Sequence, residues 1–205
     1  MEKLIKLPAN EEIVLPVSEE LVNYLSGINR DLVGRKMVIK KILSSMNVNM
    51  INQLEVYEKE YLQKYGEYEI AKTEALDAII TESGKDIGYD KNTTDANWSI
   101  NFYDRTLEMR ILNKNKLKEV GKVDKDIIEE LRIKTIEITA MQEVISEYVS
   151  ESYDILTPTY MKYFENFTIE NEKYERLKQE VAKKFGIENV QWKIDFDSET
   201  IYQIL

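Results

Sequence analysis

Apolar residues recur along this chain with two periods. From Leu21 they step through Leu25, Ile28, Leu32, Ile39, Ile42 and Met46, a spacing of three and four that keeps one helix face apolar. Ser18 precedes that run as an N-cap, and Glu19 and Glu20 suit the positive end of the helix dipole. The pattern predicts one helix over about 18–46, with Gly27 and Gly34 marking a close helix approach or a kink. A break at Asn47-Val48-Asn49 leads to a second helix, about 50–82. Its apolar face carries Leu54, Tyr57, Tyr61, Tyr65, Tyr68, Ala71, Ala75 and Ile79. The polar stretch 83–97 predicts a loop. Then the period changes to two. Trp98, Ile100 and Phe102 alternate with Ser99 and Asn101, and Leu107, Met109 and Ile111 alternate after a turn at Asp104-Arg105. This predicts a β-hairpin.

The same phrases recur further on. Val17-Ser18-Glu19-Glu20-Leu21-Val22 resembles Val123-Asp124-Lys125-Asp126-Ile127-Ile128, at an offset of 106. At that offset Leu25 meets Leu131, Val38 meets Val144, Ile39 meets Ile145, Tyr57 meets Tyr163 and Tyr68 meets Tyr174. Trp98, Ile100 and Phe102 match Trp192, Ile194 and Phe196 at offset 94, so twelve residues are missing between the last helix and the Trp strand. Self-similarity of this kind reads as two copies of one unit. The second copy predicts helices over about 124–154 and 158–185, the latter with Thr157 as N-cap, Pro158 at the first helical position and Gly186 as stop. Its hairpin spans Val190 to Leu205, turning at Asp197-Ser198.

The expected organisation is an extended arm (1–16) in which Ile13-Val14-Leu15 could add an edge strand, a first unit (17–112), a charged linker (113–122) and a second unit (123–205). The expected fold class is α+β, mostly α: a tandem repeat of helical hairpin plus β-hairpin, with four long helices. A two-stranded hairpin is marginal alone, so the two hairpins are expected to join in one four-stranded antiparallel sheet. The helices would pack as a bundle or as two crossed hairpins, with a pseudo-two-fold relation between halves.

Composition narrows the chemistry. With 205 residues, 43% hydrophobic and 10% aromatic, the chain has material for a core. It has neither cysteine nor histidine. That excludes disulfides, thiol catalysis, Cys-bound metal centres and the Ser-His-Asp triad. No stretch reaches the length of about 20 apolar residues that spans a bilayer, and the N-terminus shows no secretory h-region. The net charge of −10, from 38 acidic and 28 basic residues, makes direct nucleic-acid binding unfavourable. The one basic cluster, Arg35-Lys36 with Lys40-Lys41, reads as a solvated helix face.

The remaining constellations are weak. Asp195, Asp197 and Glu199 alternate, but the first copy has Asn101, Tyr103 and Arg105 there, so solvent-facing positions are expected. The segment 86–95 is rich in oxygen ligands but lacks calcium-loop spacing. Phosphate-cradling Gly-rich turns are absent from the sequence. No catalytic, cofactor or metal site is therefore expected, and the chain reads as a non-enzyme. The aromatic stripe is the strongest positive signal. Tyr57, Tyr61, Tyr65, Tyr68, Tyr163 and Tyr174 are mainly core candidates, yet 13 tyrosines are many for one core. Tyr suits interfaces, so part of the stripe is a candidate surface for a protein partner or for self-association. Trp98, Phe102, Trp192 and Phe196 are expected to anchor the strands on the helices.

The Leu-Pro steps of the arm, the Tyr-rich second helix and the terminal Trp-x-Ile-Asn/Asp-Phe strands (Trp98 to Phe102 and Trp192 to Phe196) resemble small acidic proteins of phage and prophage genomes of low-GC bacteria. The resemblance covers both halves. It implies a phage-associated accessory role, in the bacterial cytoplasm or the virion; with the duplicated packing residues, the lack of catalytic groups and the surplus of Tyr, the expected function is a virion or assembly accessory component acting through protein–protein contacts. The alternative is an acidic inhibitor of a host defence nuclease or other nucleic-acid-binding enzyme.

Overall fold

Ser18 does cap the first helix: its hydroxyl accepts from Leu21 N–H at 3.3 Å. The computed structural model describes residues 12–45, 50–151 and 156–205. Within these the chain runs β1 (Glu12–Pro16), α1 (Glu19–Leu43), α2 (Ile51–Ser83), β2 (Thr94–Asn101), β3 (Thr106–Lys114), β4 (Leu117–Lys122), α3 (Lys125–Ser150), α4 (Pro158–Phe185), β5 (Trp192–Asp195) and β6 (Thr200–Ile204). The class is α+β, mostly α. Gly84 and Gly186 end α2 and α4 in the left-handed conformation, at φ 60° and 66°. Pro158 opens α4, with the Thr157 hydroxyl accepting from Tyr160 N–H. The expected helix ends at 46 and at 152–154, and the break at 47–49, lie outside the described residues.

The strands depart from expectation. There are two antiparallel three-stranded sheets, ordered β1-β3-β2 and β4-β6-β5, instead of one four-stranded sheet. Each hairpin takes its third strand from the segment just before its own first helix. Leu15 pairs with Leu107 and Pro16 with Thr106; Gly121 pairs with Ile201 and Lys122 with Thr200. The segment expected as a charged linker, 113–122, is thus the end of β3 and all of β4. The arm contributes β1, as Ile13-Val14-Leu15 suggested; residues 1–11 lie outside the description.

Each half therefore runs strand, helix, helix, strand, strand, with matching details. Val17 N–H donates to Arg105 O at 2.9 Å, and Val123 N–H to Glu199 O at 3.0 Å. Arg105 and Glu199 both take positive φ, 54° and 56°. Asn101 Oδ1 accepts from Tyr103 and Asp104 N–H in one turn, and Asp195 Oδ1 from Asp197 and Ser198 N–H in the other. These pairs sit at the offsets read from the sequence.

Three large apolar clusters hold the fold, with a smaller one of Leu25, Ala71 and Ala75 between α1 and α2. Sheet one covers the start of α1 and the end of α2 through Leu15, Val22, Leu76, Ile79, Leu107 and Met109. Sheet two covers the start of α3 and the end of α4 through Ile128, Leu131, Val181, Ile187 and Ile201. The far ends of all four helices meet in the largest cluster, which includes Ile39, Leu43, Tyr61, Met141, Val144, Tyr148 and Tyr163. The halves are joined by a polar seam as well. Lys36 pairs with Glu143 and Glu147, and Lys40 with Glu147 and Glu151. The steps of four on both sides show α1 and α3 lying alongside in the same direction. Two members of the basic cluster, expected on a solvated face, are thus largely buried stems pointing carboxylate-ward across the seam. Gly27 and Gly34 mark no close approach: a Cβ at either would meet nothing within 4 Å. Gly121 does, since a Cβ there would lie 2.8 Å from Phe185 Cε1.

Candidate functional site

An apolar groove open to solvent lies between α2 and α3, with a volume of about 630 Å3. It is built from a helical stripe that differs from the aromatic one. Glu58, Leu62, Gly66 and Ile70 follow one another at intervals of four on α2, and Ile133, Ile136 and Glu137 face them from α3. Gly66 keeps the floor low: a Cβ there would touch Ile136 Cγ2 at 3.6 Å. Ile70 and Ile133 remain 52% and 47% exposed on the two sides of the groove. Glu58, Leu62 and Glu137 also line a second hollow of about 410 Å3 that continues toward Met141, Ile169 and Glu170.

Carboxylates rim this apolar floor. Glu137 pairs with Lys134 at 3.0 Å, and Lys134 also holds Glu170. Lys134 and Lys173 together lower the Glu170 carboxyl below its ordinary range. Glu67 is likewise lowered by Lys64. Glu55 and Glu58 make no ion pair among the described residues. Burial first, then the charges of Glu55 and Glu137, push the Glu58 carboxyl up to about 7. Behind it, the hydroxyl of Tyr163 is buried without a hydrogen-bond partner among the described residues. Burial raises that phenol well above its ordinary value, with the charge of Glu58 adding to the effect.

The predicted interface tyrosines do not gather into one surface. Tyr61, Tyr65 and Tyr163 are buried in the four-helix cluster. Tyr65 donates to Glu143 at 3.1 Å, so its polar tip serves the seam between halves. Tyr68 is partly buried against the same cluster, and Tyr174 against the cluster under sheet two. Tyr57 alone of the six is exposed, at 38%. Trp98 and Phe102 pack on the sheet-one cluster, Trp192 and Phe196 on the sheet-two cluster. All four are only partly buried. Lys72 sits 5.0 Å over Trp98, and Arg132 5.7 Å over Phe196.

A cleft of about 570 Å3 between the halves brings Asp77 and Lys91 near Arg132, Lys193, Asp195 and Asp197. Asp197 draws two of its cations together: Lys91 pairs with it at 3.0 Å and Arg132 lies 3.6 Å from it, while Arg132 Nε is buried without a hydrogen-bond partner among the described residues. Asp195 and Asp197 therefore serve turn and ion pair rather than one strand face. The loop expected over 83–97 ends at 93, before β2 begins at Thr94; in it the Asp86 and Asp90 carboxylates accept from the backbone N–H groups of Gly88, Asn92 and Thr93, which ties them to turn formation. Among the described residues no cluster of acidic side chains has metal-holding geometry, and no helix is long and apolar enough to cross a membrane.

The groove residues were legible in principle. The stripe at 58, 62, 66 and 70 runs beside the tyrosine face and is shorter and half polar, so the stronger pattern hides it. Comparison with protein-family models, curated proteins and solved structures finds no match for this chain.

Proposed function

We propose that this chain is a non-enzymatic, phage-associated protein that works by contact with another protein, as a component or assembly factor of the virion. One observation supports it most: the α2–α3 groove leaves Ile70 and Ile133 half exposed on an apolar floor between two helices. Exposed apolar surface rimmed by polar groups is the usual mark of a protein contact site. The phage association rests on the Trp-x-Ile-Asn/Asp-Phe resemblance. The recurrence of one element order in both halves fits two copies of an ancestral unit. The tyrosines belong to this reading as core, with Tyr57 left as a surface contributor. The acidic-inhibitor alternative gains little, because carboxylates are interleaved with lysines along the helices in pairs such as Lys64–Glu67 and Lys173–Glu170.

Mass spectrometry of purified particles and of assembly intermediates tests the proposal. The chain is expected at a fixed ratio to other particle or assembly proteins. Recovery only as a free chain, absent from both fractions, contradicts it.

A further inference from the structure

The groove has dimensions and charges that select its occupant. It follows α2 from Glu55 to Ile70, which at helical rise is about 22 Å, or about four turns. Its walls are two helices, and a third helix fills such a trough by setting its ridges into theirs. A strand would leave its backbone N–H and C=O groups unpaired there, since no sheet edge borders the groove. The lining carries four carboxylates against one cation, Lys59: Glu55 and Glu58, which make no ion pair among the described residues, and Glu67 and Glu137, which pair with Lys64 and Lys134. A second copy of this chain is a poor occupant, because it brings another net charge of −10.

Building on the protein-contact reading above, we propose that the α2–α3 groove receives a basic amphipathic helix of about four turns from a partner protein, its apolar face on Ile70 and Ile133 and its Lys or Arg residues toward Glu55, Glu58 and Glu137. Recognition uses apolar burial for affinity and charge for selection. The proton on Glu58 supplies a signature. Burial holds that carboxyl at about 7, and an incoming cation favours its ionised form, so docking releases a proton and tightens as pH rises from 6 to 8. The groups facing Glu58 are Glu55 on its own helix, Glu137 on α3 with its partner Lys134, and Tyr163 on α4.

The test uses the full chain and a synthetic peptide of about 15 residues, with Leu at helical spacing and Lys elsewhere. One control replaces every Lys by Glu; another scrambles the order so that the Leu face is lost. Calorimetric titration is expected to give micromolar binding of the Lys peptide, and binding at least about ten-fold weaker for both controls. Ile133→Asp, at an exposed position that leaves folding intact, is expected to abolish binding. Glu58→Gln is expected to weaken it and to remove the tightening between pH 6 and 8. Equal affinity for the scrambled peptide, no binding of the Lys peptide, or no effect of Ile133→Asp overturns the inference. Particle association that persists in Ile133→Asp would overturn the groove assignment while leaving the protein-contact reading standing. Absence from particles despite peptide binding would remove that reading and spare the groove.

Discussion

Glu58→Gln isolates one physical effect, the cost of ionising a carboxylic acid inside the groove. The Glu58 carboxyl stands at about 7 in the folded chain against an ordinary 4.5. That difference corresponds to at most about 3–4 kcal/mol. The groove is open to water on one side, which brings the expected effect to about 1–2 kcal/mol. The folded state holds its proton to higher pH than the unfolded state does. The destabilisation is therefore absent below about pH 4.5, grows as pH rises, and is complete above about 7. Gln copies the shape of the protonated acid and never ionises. Urea denaturation of both proteins should give equal stabilities near pH 4.5 and a gain of about 1–2 kcal/mol for the variant near pH 8.5. A difference that does not change with pH, or a loss of stability in the variant at pH 8.5, refutes the placement of this side chain in a low-dielectric groove.

Three further outcomes follow from the packing. Gly121→Ala should destabilise by about 1–3 kcal/mol, because its Cβ would collide with the Phe185 ring; Phe185→Leu in the same chain should recover part of the loss, as a double-mutant cycle would show. Thr157→Val should cost about 2 kcal/mol in denaturant melts, since the Thr157 hydroxyl both caps α4 and donates to Leu43 O at 2.8 Å. Trp192→Ala should cost about 2–3 kcal/mol, less than a fully buried Trp, and near-native melting would contradict its anchoring role on the sheet-two cluster.

Much of this fold could be read from local pattern. The caps at Ser18, Thr157 and Gly186 and the period change at Trp98 report short-range physics, so the helices and hairpins follow from them. Strand partners do not. Alternation at Trp98 or Trp192 shows which face is buried, while the choice of third strand depends on what lies at the hairpin's edge. Leu117-Lys118-Glu119-Val120-Gly121-Lys122 reads as linker because lysines dilute its two apolar residues. It becomes β4 because β6 supplies hydrogen-bond partners from Leu117 to Lys122. Lys36 and Lys40 look solvated for a similar reason. Their partners Glu143, Glu147 and Glu151 lie more than a hundred residues on, though the shared step of four on both helices is a usable signal. The tyrosine stripe outshone the fainter stripe that forms the groove, since core aromatics carry the stronger periodicity.

The most direct measurement places a photo-crosslinking residue at position 133 in the groove, and at Tyr103 as an exposed control on the β2–β3 turn, in cells that produce the protein. The account predicts a defined crosslink from position 133 alone, mapping to a Lys- and Arg-rich helical segment of one partner. Equal crosslinking from both positions, or none from position 133, would contradict it.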